Sequence, residues 1–142
     1  MFKGEKTEGI EFYKLLFESS EFTSELGKIT LASCKLETEL ILFFVRKNIP
    51  NKTLFKSTLG KLIQIGERNE LLDENLLEAL KQILRERNYF THNIYLLFNG
   101  NIKETIFPKE NLLDTDVISY QIMARDLKEN LLNISEVIKS EN

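Results

Sequence analysis

Three side chains capable of chemistry lie within six residues of one another near the end of a predicted helix. Residues 85–92 read Arg-Glu-Arg-Asn-Tyr-Phe-Thr-His, and the candidates are Arg87, Asn88 and His92. The imidazole of His92 can exchange a proton near neutral pH, and the guanidinium of Arg87 offers a planar set of donors to an anion. Asn88 and His92 are four residues apart, so they can touch on a helix. The segment therefore combines groups for anion binding and proton transfer.

The direction of Arg87 distinguishes it from an ordinary surface arginine. At about 100° per residue, its side chain projects within about 20° of Leu80, which centres the apolar stripe of this helix. A guanidinium that points toward a core is costly unless it is paired or lies in a wet cleft. Two interpretations stay open: Arg87 lines a functional cleft, or it reaches a carboxylate such as Glu37 on the flank of the longest predicted helix.

The other residue types exclude most alternative chemistry. His92 is the only histidine and Cys34 the only cysteine, so one chain cannot assemble a zinc site from spaced His and Cys ligands. The sequence contains no glycine-rich phosphate loop and no nucleophile elbow. The acidic residues are spaced as on solvated helix faces, and no Glu-x-x-His step suggests a carboxylate metal site. We therefore expect no metal and no cofactor.

The composition is that of an ordinary globular chain of 142 residues, 42% of them apolar. This length can bury a sizeable core without a disulfide or a metal, so we interpret residues 1–142 as a single domain. The chain has 19 Lys and Arg against 22 Asp and Glu, a formal net charge of −3. That balance argues against a uniformly basic nucleic-acid-binding surface but leaves room for a local basic cleft.

Long stretches without glycine or proline predict helices, because these two residues are sparse and clustered. The longest stretch runs from Glu21 to Lys47, with Ser20 as its N-cap and the polar segment around Pro50 as its end. Its apolar stripe has helical spacing, with Ser33 filling the one missing step, and comprises Phe22, Leu26, Ile29, Leu36, Leu40 and Phe43.

Two further long helices carry similar stripes. One is predicted over Glu74–Leu97 with Asp73 as its cap, and the other over Thr115–Lys139 with Asp114 as its cap. The inward face of the first comprises Leu76, Leu77, Leu80, Ile83 and Leu84. The stripe of the second comprises Val117, Tyr120, Ala124, Leu127, Leu131, Ile134 and Ile138.

The rest of the chain completes a helical fold. Shorter helices are predicted at Gly9–Glu18 and Ser57–Gly66, and residues 99–113 form a loop in which 102–107 also fit an extended segment. No stretch shows sustained two-residue alternation between turn signals. The predicted fold class is all-α, an up-down bundle of four to five helices.

The chain also lacks the patterns of an exported or membrane-spanning protein. Charged residues at positions 3, 5, 6 and 8 interrupt any apolar run before it reaches the length of an export signal. The longest apolar run, Leu40–Val45, is far too short to span a bilayer. We therefore expect a cytoplasmic protein.

On one motif the chain resembles a known family. Residues 87–92, Arg-Asn-Tyr-Phe-Thr-His, match the R-N-x-x-x-H form of the Arg-x(4–6)-His motif of HEPN domains. Those domains are small and all-α, and they carry the motif late in a long helix of a four- or five-helix bundle. The resemblance in helix order covers most of the chain, whereas the specific motif covers six residues. Arg85 also satisfies the looser spacing, but it projects away from the apolar stripe, so Arg87 is the better candidate.

The resemblance implies metal-independent cleavage of RNA by a ribose 2′-OH, with two copies of the motif meeting in a homodimer. It implies that Arg87 stabilises the phosphate, that His92 is the general acid or base or orients the 2′-OH, and that Asn88 positions His92 or the backbone. A single chain supplies one imidazole, so the second comes from the partner copy. Arg85 and Tyr95 are additional candidate RNA-binding residues.

The helix after His92 is apolar on nearly every face, through Phe90, Ile94, Tyr95, Leu97 and Phe98. One of these faces is expected to find a partner, either in a second copy or within the bundle. The resemblance implies a toxin–antitoxin or phage-defence role, with an antitoxin or a nucleotidyltransferase as candidate partner. Some HEPN toxins carry a modifiable tyrosine two residues after the histidine, whereas Tyr95 is three residues after it, which argues against the same regulation.

A second hypothesis belongs to a different class of function. The chain could be a non-catalytic helical module that dimerises and contacts a protein or a nucleotide without cleaving anything. The acidic charge balance favours this module, while the intact set of Arg87, Asn88 and His92 favours cleavage.

Overall fold

The prediction of an all-α fold is confirmed by a computed structural model that describes residues 2–50, 52, 54–100 and 110–141. Its helices are α1 (Gly9–Glu18), α2 (Ser20–Arg46), α3 (Leu59–Arg68), α4 (Glu74–Asn88), α5 (Ile94–Phe98) and α6 (Asp116–Ser140), with a π-helical turn at Tyr89–Asn93 between α4 and α5. The two short strands are β1 (Lys6–Thr7) and β2 (Leu112–Leu113). Within the described ranges, no helix has both the length and the apolar character needed to cross a membrane.

Helices α2 and α6 lie side by side and run in the same direction. Ser19, at the start of α2, accepts a hydrogen bond from Gln121 at 2.9 Å. Further along, Lys128 pairs with Glu25 at 3.3 Å and Lys35 pairs with Glu136 at 2.5 Å. Residue numbers rise together along both helices, so the pair is parallel.

The predicted stripes of these two helices form the centre of the core. Every residue of the α6 stripe is buried, and in the α2 stripe only Leu26 is half-buried. Ser33 is buried as well, in the one position where the α2 stripe lacks an apolar residue.

Helix α4 runs antiparallel to α6. Two surface cavities between these helices show the direction. Leu76 and Ile134 line one of them, and Phe90, just after α4, and Met123 line the other. The inward face of α4 is less deeply buried than those of α2 and α6: Leu80 and Ile83 are buried, whereas Leu76, Leu77 and Leu84 are half-buried. Its described contacts with α6 therefore leave an open groove between the two helices.

Helix ends follow local capping rules, with two corrections to the sequence prediction. The prediction of Asp73 as the cap of α4 is confirmed, since its carboxylate accepts the Leu76 N–H at 2.8 Å. The cap of α2 is Ser19 and not Ser20, because the Ser19 backbone is extended and its hydroxyl accepts the Phe22 N–H at 3.1 Å. Both serines are good caps by type, so the sequence did not distinguish them.

The predicted cap of α6 is also wrong. The N-cap is Thr115, while Asp114 turns toward the start of the chain and accepts the N–H groups of Lys3 and Gly4 at 2.8 Å each. A carboxylate can serve several amides, and these lie more than a hundred residues away in sequence. Local spacing could not predict that contact.

The small sheet was not predicted at all. Strands β1 and β2 pair antiparallel, with Lys6 opposite Leu113 and Thr7 opposite Leu112. Two-residue strands are too short to show alternation in a sequence. The predicted extended segment at 102–107 lies outside the described residues and stays a prediction.

Candidate functional site

The motif lies where a widened turn interrupts one long helical segment. The sequence predicted a continuous helix over Glu74–Leu97, whereas the structure inserts a π turn at Tyr89–Asn93 between α4 and α5. Turns of this type bond residue i to i+5 and are frequent at functional sites. In an α-helix, residues five apart point about 140° away from each other. The wider turn reduces that angle and so brings His92 closer to the face of Arg87.

Three contacts hold the π turn in place. The Thr91 hydroxyl donates to the Arg87 carbonyl oxygen at 2.8 Å, a bond to the preceding turn that is known to bend helices. Phe90 is buried, and its ring lies 6.0 Å from that of Phe22 on α2 and 6.4 Å from that of Tyr120 on α6. The turn is therefore tied to both central helices.

Tyr120 packs against the site and does not take part in proton transfer there. Burial raises the pKa of its hydroxyl far above the ordinary value of 10.0, and the negative charge of Asp116 raises it further. The phenol consequently stays neutral over the whole physiological range. The titratable side chain of the motif that reaches solvent is His92, which is exposed on the π turn.

Arg87 is half-buried, in agreement with its predicted inward direction. Its Nε atom is buried and has no hydrogen-bond partner among the described residues. Glu37, the predicted alternative partner, forms no ion pair with Arg87. No other carboxylate among the described residues forms one with Arg87 either. A buried donor without an acceptor costs free energy. Among the described residues, no carboxylate thus neutralises the guanidinium charge, which is available to an anion that reaches the exposed part of the side chain.

Asn88 is half-buried at the end of α4, and its amide forms no hydrogen bond with His92 in the described structure. On a regular α-helix these two residues, four positions apart, would share a face. The π turn changes that spacing, because it winds the chain more loosely between them. The positioning role of Asn88 therefore stays a prediction.

The two additional RNA-binding candidates lie on the surface. Arg85 is exposed and donates from Nη2 to the Gln82 side-chain carbonyl, on a face of α4 different from that of Arg87. Tyr95 is half-exposed and meets Tyr13 of α1 edge to face, with ring centroids 5.0 Å apart. Sequence reasoning missed Tyr13, since its partner lies about eighty positions away and no pattern in α1 indicates the pair.

In the parts of the chain that the structure describes, no three His, Cys, Asp or Glu side chains gather in a way that could hold a metal ion. The candidate chemistry thus rests on a guanidinium, an amide and an imidazole around the π turn. Comparison of the chain with protein-family models, curated proteins and solved structures finds no match. The resemblance to HEPN domains consequently rests on residues 87–92 and on their position late in a long helix.

Proposed function

We propose that the chain is a metal-independent endoribonuclease of the HEPN type. The observation that carries this proposal is a half-buried Arg87 at the end of α4, without an ion pair among the described residues, followed five positions later by an exposed His92 on the π turn. A phosphodiester would pair with the positive charge of the Arg87 guanidinium, and planar guanidinium groups suit phosphate geometry. His92, five positions further along the chain, is the proton-transfer group that we propose to act on the oxygens of that phosphate.

The proposed reaction is transesterification within the RNA strand. The ribose 2′-oxygen attacks phosphorus while a base accepts its proton, and the bond from phosphorus to the 5′-oxygen breaks while an acid protonates that oxygen. The products are a 2′,3′-cyclic phosphate and a 5′-hydroxyl. Arg87 stabilises the negative charge of the pentacovalent transition state. Asn88 contributes by positioning the backbone or the phosphate next to His92.

This reaction uses two proton-transfer groups, whereas one chain has a single histidine. We therefore propose a homodimer in which a second copy supplies the other His92. The end of the motif helix offers a surface for it, because Tyr95 and Leu96 are exposed there. Of the other apolar residues of this segment, Phe90, Leu97 and Phe98 are buried in the chain's own core and Ile94 is half-buried.

The biological context of the proposal follows the family resemblance. It is a toxin or phage-defence role in the cytoplasm, with RNA as the substrate and an antitoxin or a nucleotidyltransferase as candidate partner. Arg85 and Tyr95, both exposed beside the motif, are the candidate RNA contacts outside the catalytic set.

The test is cleavage of total RNA by the full chain in the presence of EDTA. His92→Ala and Arg87→Ala are each expected to reduce cleavage at least a hundredfold, in line with the loss of an acid–base group or a charge-stabilising donor. Arg125→Ala removes an exposed arginine of α6 and serves as the matched control with wild-type activity. Circular dichroism must show the same helical content in all variants. Undiminished cleavage by His92→Ala would remove the proposed mechanism.

One observation favours the alternative of a non-catalytic binding module. The groove between α4 and α6 has a volume of about 450 Å³. Its apolar lining includes Leu76, Ile83, Ile134 and Val137, and its polar lining comprises Gln82, Glu86, Asn130 and Asn133. Such a groove suits the apolar face of a partner helix. The module hypothesis predicts no RNA cleavage by the wild-type chain and loss of partner binding in Val137→Glu, while Arg87→Ala keeps binding.

A further inference from the structure

The solvent-facing side of α2 carries an uncharged stripe that the rest of the fold leaves uncovered. Its members recur every three or four residues and therefore share one face of the helix. We define the α2 outer stripe as Ser24, Gly27, Leu31, Cys34, Thr38, Leu42 and Val45, all of which are exposed. Leu31 is 71% exposed and Leu42 is 44% exposed. With Val45, three apolar side chains of the stripe thus face solvent on the longest of the described helices.

The stripe has an internal symmetry of size. Six of its members form three pairs, and the two members of each pair are equally far from the midpoint between residues 34 and 35. The pairs are Val45 with Ser24, Leu42 with Gly27, and Leu31 with Thr38. In every pair a larger side chain matches a smaller one. If two copies of α2 pack antiparallel around a two-fold axis at this midpoint, each larger residue lies level with the smaller residue of the other copy. Such alternation lets two helices interdigitate closely.

The charges beside the stripe follow nearly the same symmetry. Along one flank of α2 lie Glu21, Lys28, Glu39 and Arg46, at about 100° per residue. In the antiparallel arrangement Glu21 comes within about one turn of Arg46 of the other copy, and Lys28 comes equally close to Glu39. Each two-fold pair therefore brings four oppositely charged contacts within reach, in addition to the Lys28–Glu25 ion pair at 3.7 Å and the hydrogen bond from Arg46 to the Glu141 carbonyl oxygen at 3.1 Å within each copy.

One lysine near the midpoint could oppose the pairing, since Lys35 would approach its own counterpart. Its ammonium group is instead drawn to α6, where it pairs with Glu136 at 2.5 Å. A parallel arrangement has no comparable fit, because it would set Leu31 against Leu31 and Gly27 against Gly27. Size and charge both favour the antiparallel pair.

We propose that a second copy of this chain docks on the α2 outer stripe, antiparallel, with the two Cys34 side chains beside the two-fold axis. The axial offset between the two Cys34 positions is then about 1.5 Å, one residue of helical rise. This interface uses α2 alone, so it goes beyond the proposed ribonuclease dimer at the end of the motif helix and does not depend on it. A chain with both interfaces assembles into particles larger than a dimer.

The native thiol makes the first test possible without adding a residue. A short bismaleimide added to the full chain at low micromolar concentration is expected to give a covalent dimer through Cys34, and Cys34→Ser is expected to give none. Leu42→Glu is expected to reduce the cross-linked fraction at least tenfold. The matched control is Ile118→Glu on α6, where an isoleucine of nearly equal exposure, 47%, is expected to leave cross-linking unchanged.

The second test determines the orientation, in a Cys34→Ser background with one cysteine introduced per chain. A Gly27→Cys chain mixed with a Leu42→Cys chain is expected to cross-link, whereas Gly27→Cys alone is not, because its two copies would lie about 22 Å apart along the axis. Cross-linking of Gly27→Cys with itself would overturn the antiparallel proposal. Undiminished cross-linking of Leu42→Glu through Cys34, or no covalent dimer of the wild type, would overturn the interface as a whole.

Charge exchange provides an independent check of the register. Glu39→Lys places a lysine opposite Lys28 of the other copy and is expected to weaken cross-linking through Cys34 several-fold. Adding Lys28→Glu to that variant restores opposite charges at both contacts and is expected to restore the yield. A double variant that cross-links no better than Glu39→Lys alone would contradict the proposed register.

Discussion

The rings of Phe90 and Tyr120 meet edge to face, with their centroids 6.4 Å apart and their planes at 89°. This contact fastens the π turn that carries His92 to the N-terminal part of α6. Phe90→Ala should lower the free energy of unfolding by about 3–5 kcal/mol, the usual cost of truncating a buried phenylalanine. Urea unfolding measures the change, with Tyr95→Ala as a half-exposed aromatic control that should cost clearly less. Equal costs for the two variants would contradict the anchoring role of Phe90.

Two glycines in helices should respond in opposite ways to the same substitution. A Cβ at Gly66 would lie 2.5 Å from Leu72 Cδ1 and 3.0 Å from Phe44 Cζ, so Gly66→Ala should destabilise the chain by about 1–3 kcal/mol. A Cβ at Gly27 meets nothing within 4 Å, so Gly27→Ala should stabilise it by about 1 kcal/mol through helix propensity. Urea unfolding at low protein concentration compares them. Stabilisation by Gly66→Ala would mean that α3 does not approach Leu72 as closely as the structure shows.

The residue after the C-cap of α3 has an unfavourable backbone conformation for its type. Glu70 has a φ of 54°, and the Leu71 N–H bonds to the Gly66 carbonyl oxygen at 2.9 Å, the pattern in which glycine is preferred. Glu70→Gly should raise the free energy of unfolding by about 0.5–1 kcal/mol by relieving left-handed strain. Glu78→Gly, in the exposed interior of α4, should lower it by about 1 kcal/mol. If thermal unfolding ranks the two variants the other way, Glu70 does not have the left-handed backbone conformation described above.

The Asp114 carboxylate should make part of the stability dependent on pH. Hydrogen bonds from the backbone N–H of Lys3, and then those of Gly4, Thr115 and Glu5, hold its pKa below the ordinary value of 3.8. The stabilisation is therefore complete above about pH 4 and is lost as the pH falls through the lowered pKa. Urea unfolding from pH 7 down to pH 2 should show Asp114→Asn less stable than the wild type at neutral pH, with a gap that narrows in acid. A stability difference between the two proteins that does not change with pH would contradict a stabilising role of the ionised Asp114 carboxylate.

The products of RNA cleavage test the proposed chemistry more closely than activity alone. Cleavage in EDTA should leave a 2′,3′-cyclic phosphate and a 5′-hydroxyl, because the attacking oxygen belongs to the RNA itself. RNA methylated at the 2′-oxygen of the cleaved residue should resist completely, and so should DNA of the same sequence. Mass spectrometry of short defined substrates identifies the ends. Cleavage of the methylated substrate, or activity that depends on added divalent metal, would shift the balance toward the binding module.

The helices were predictable because one-sided burial leaves a periodic pattern in the sequence. The α6 stripe from Val117 to Ile138 is buried at every predicted position, and α1 begins and ends at the predicted residues. The π turn was not predictable in the same way. It depends on the contacts of Phe90 with Phe22 and Tyr120, which lie far away in sequence. The local spacing of apolar residues does not predict such contacts.

The candidate site was predictable in its members more than in its geometry. The angle on the helix indicated that Arg87 points inward, and the structure finds it half-buried. Whether it would meet Glu37 depended on how α4 packs against α2, which spacing within one helix does not determine. The shared face of Asn88 and His92 assumed a regular α-helix, and the widened turn removed that assumption.

The parallel pairing of α2 with α6 has a consequence for how the chain is made. The apolar stripe of α2 is buried against α6, a helix that ends about 90 residues after α2 ends. The ion pair between Lys35 and Glu136 joins the same two helices. At synthesis rates of about 5–20 residues per second, the buried face of α2 stays without that cover for roughly 5–20 s after it is translated. Contacts this distant also slow folding relative to bundles whose neighbours are joined by short loops. The nascent chain is therefore a natural client for chaperones that shield apolar helices on the ribosome.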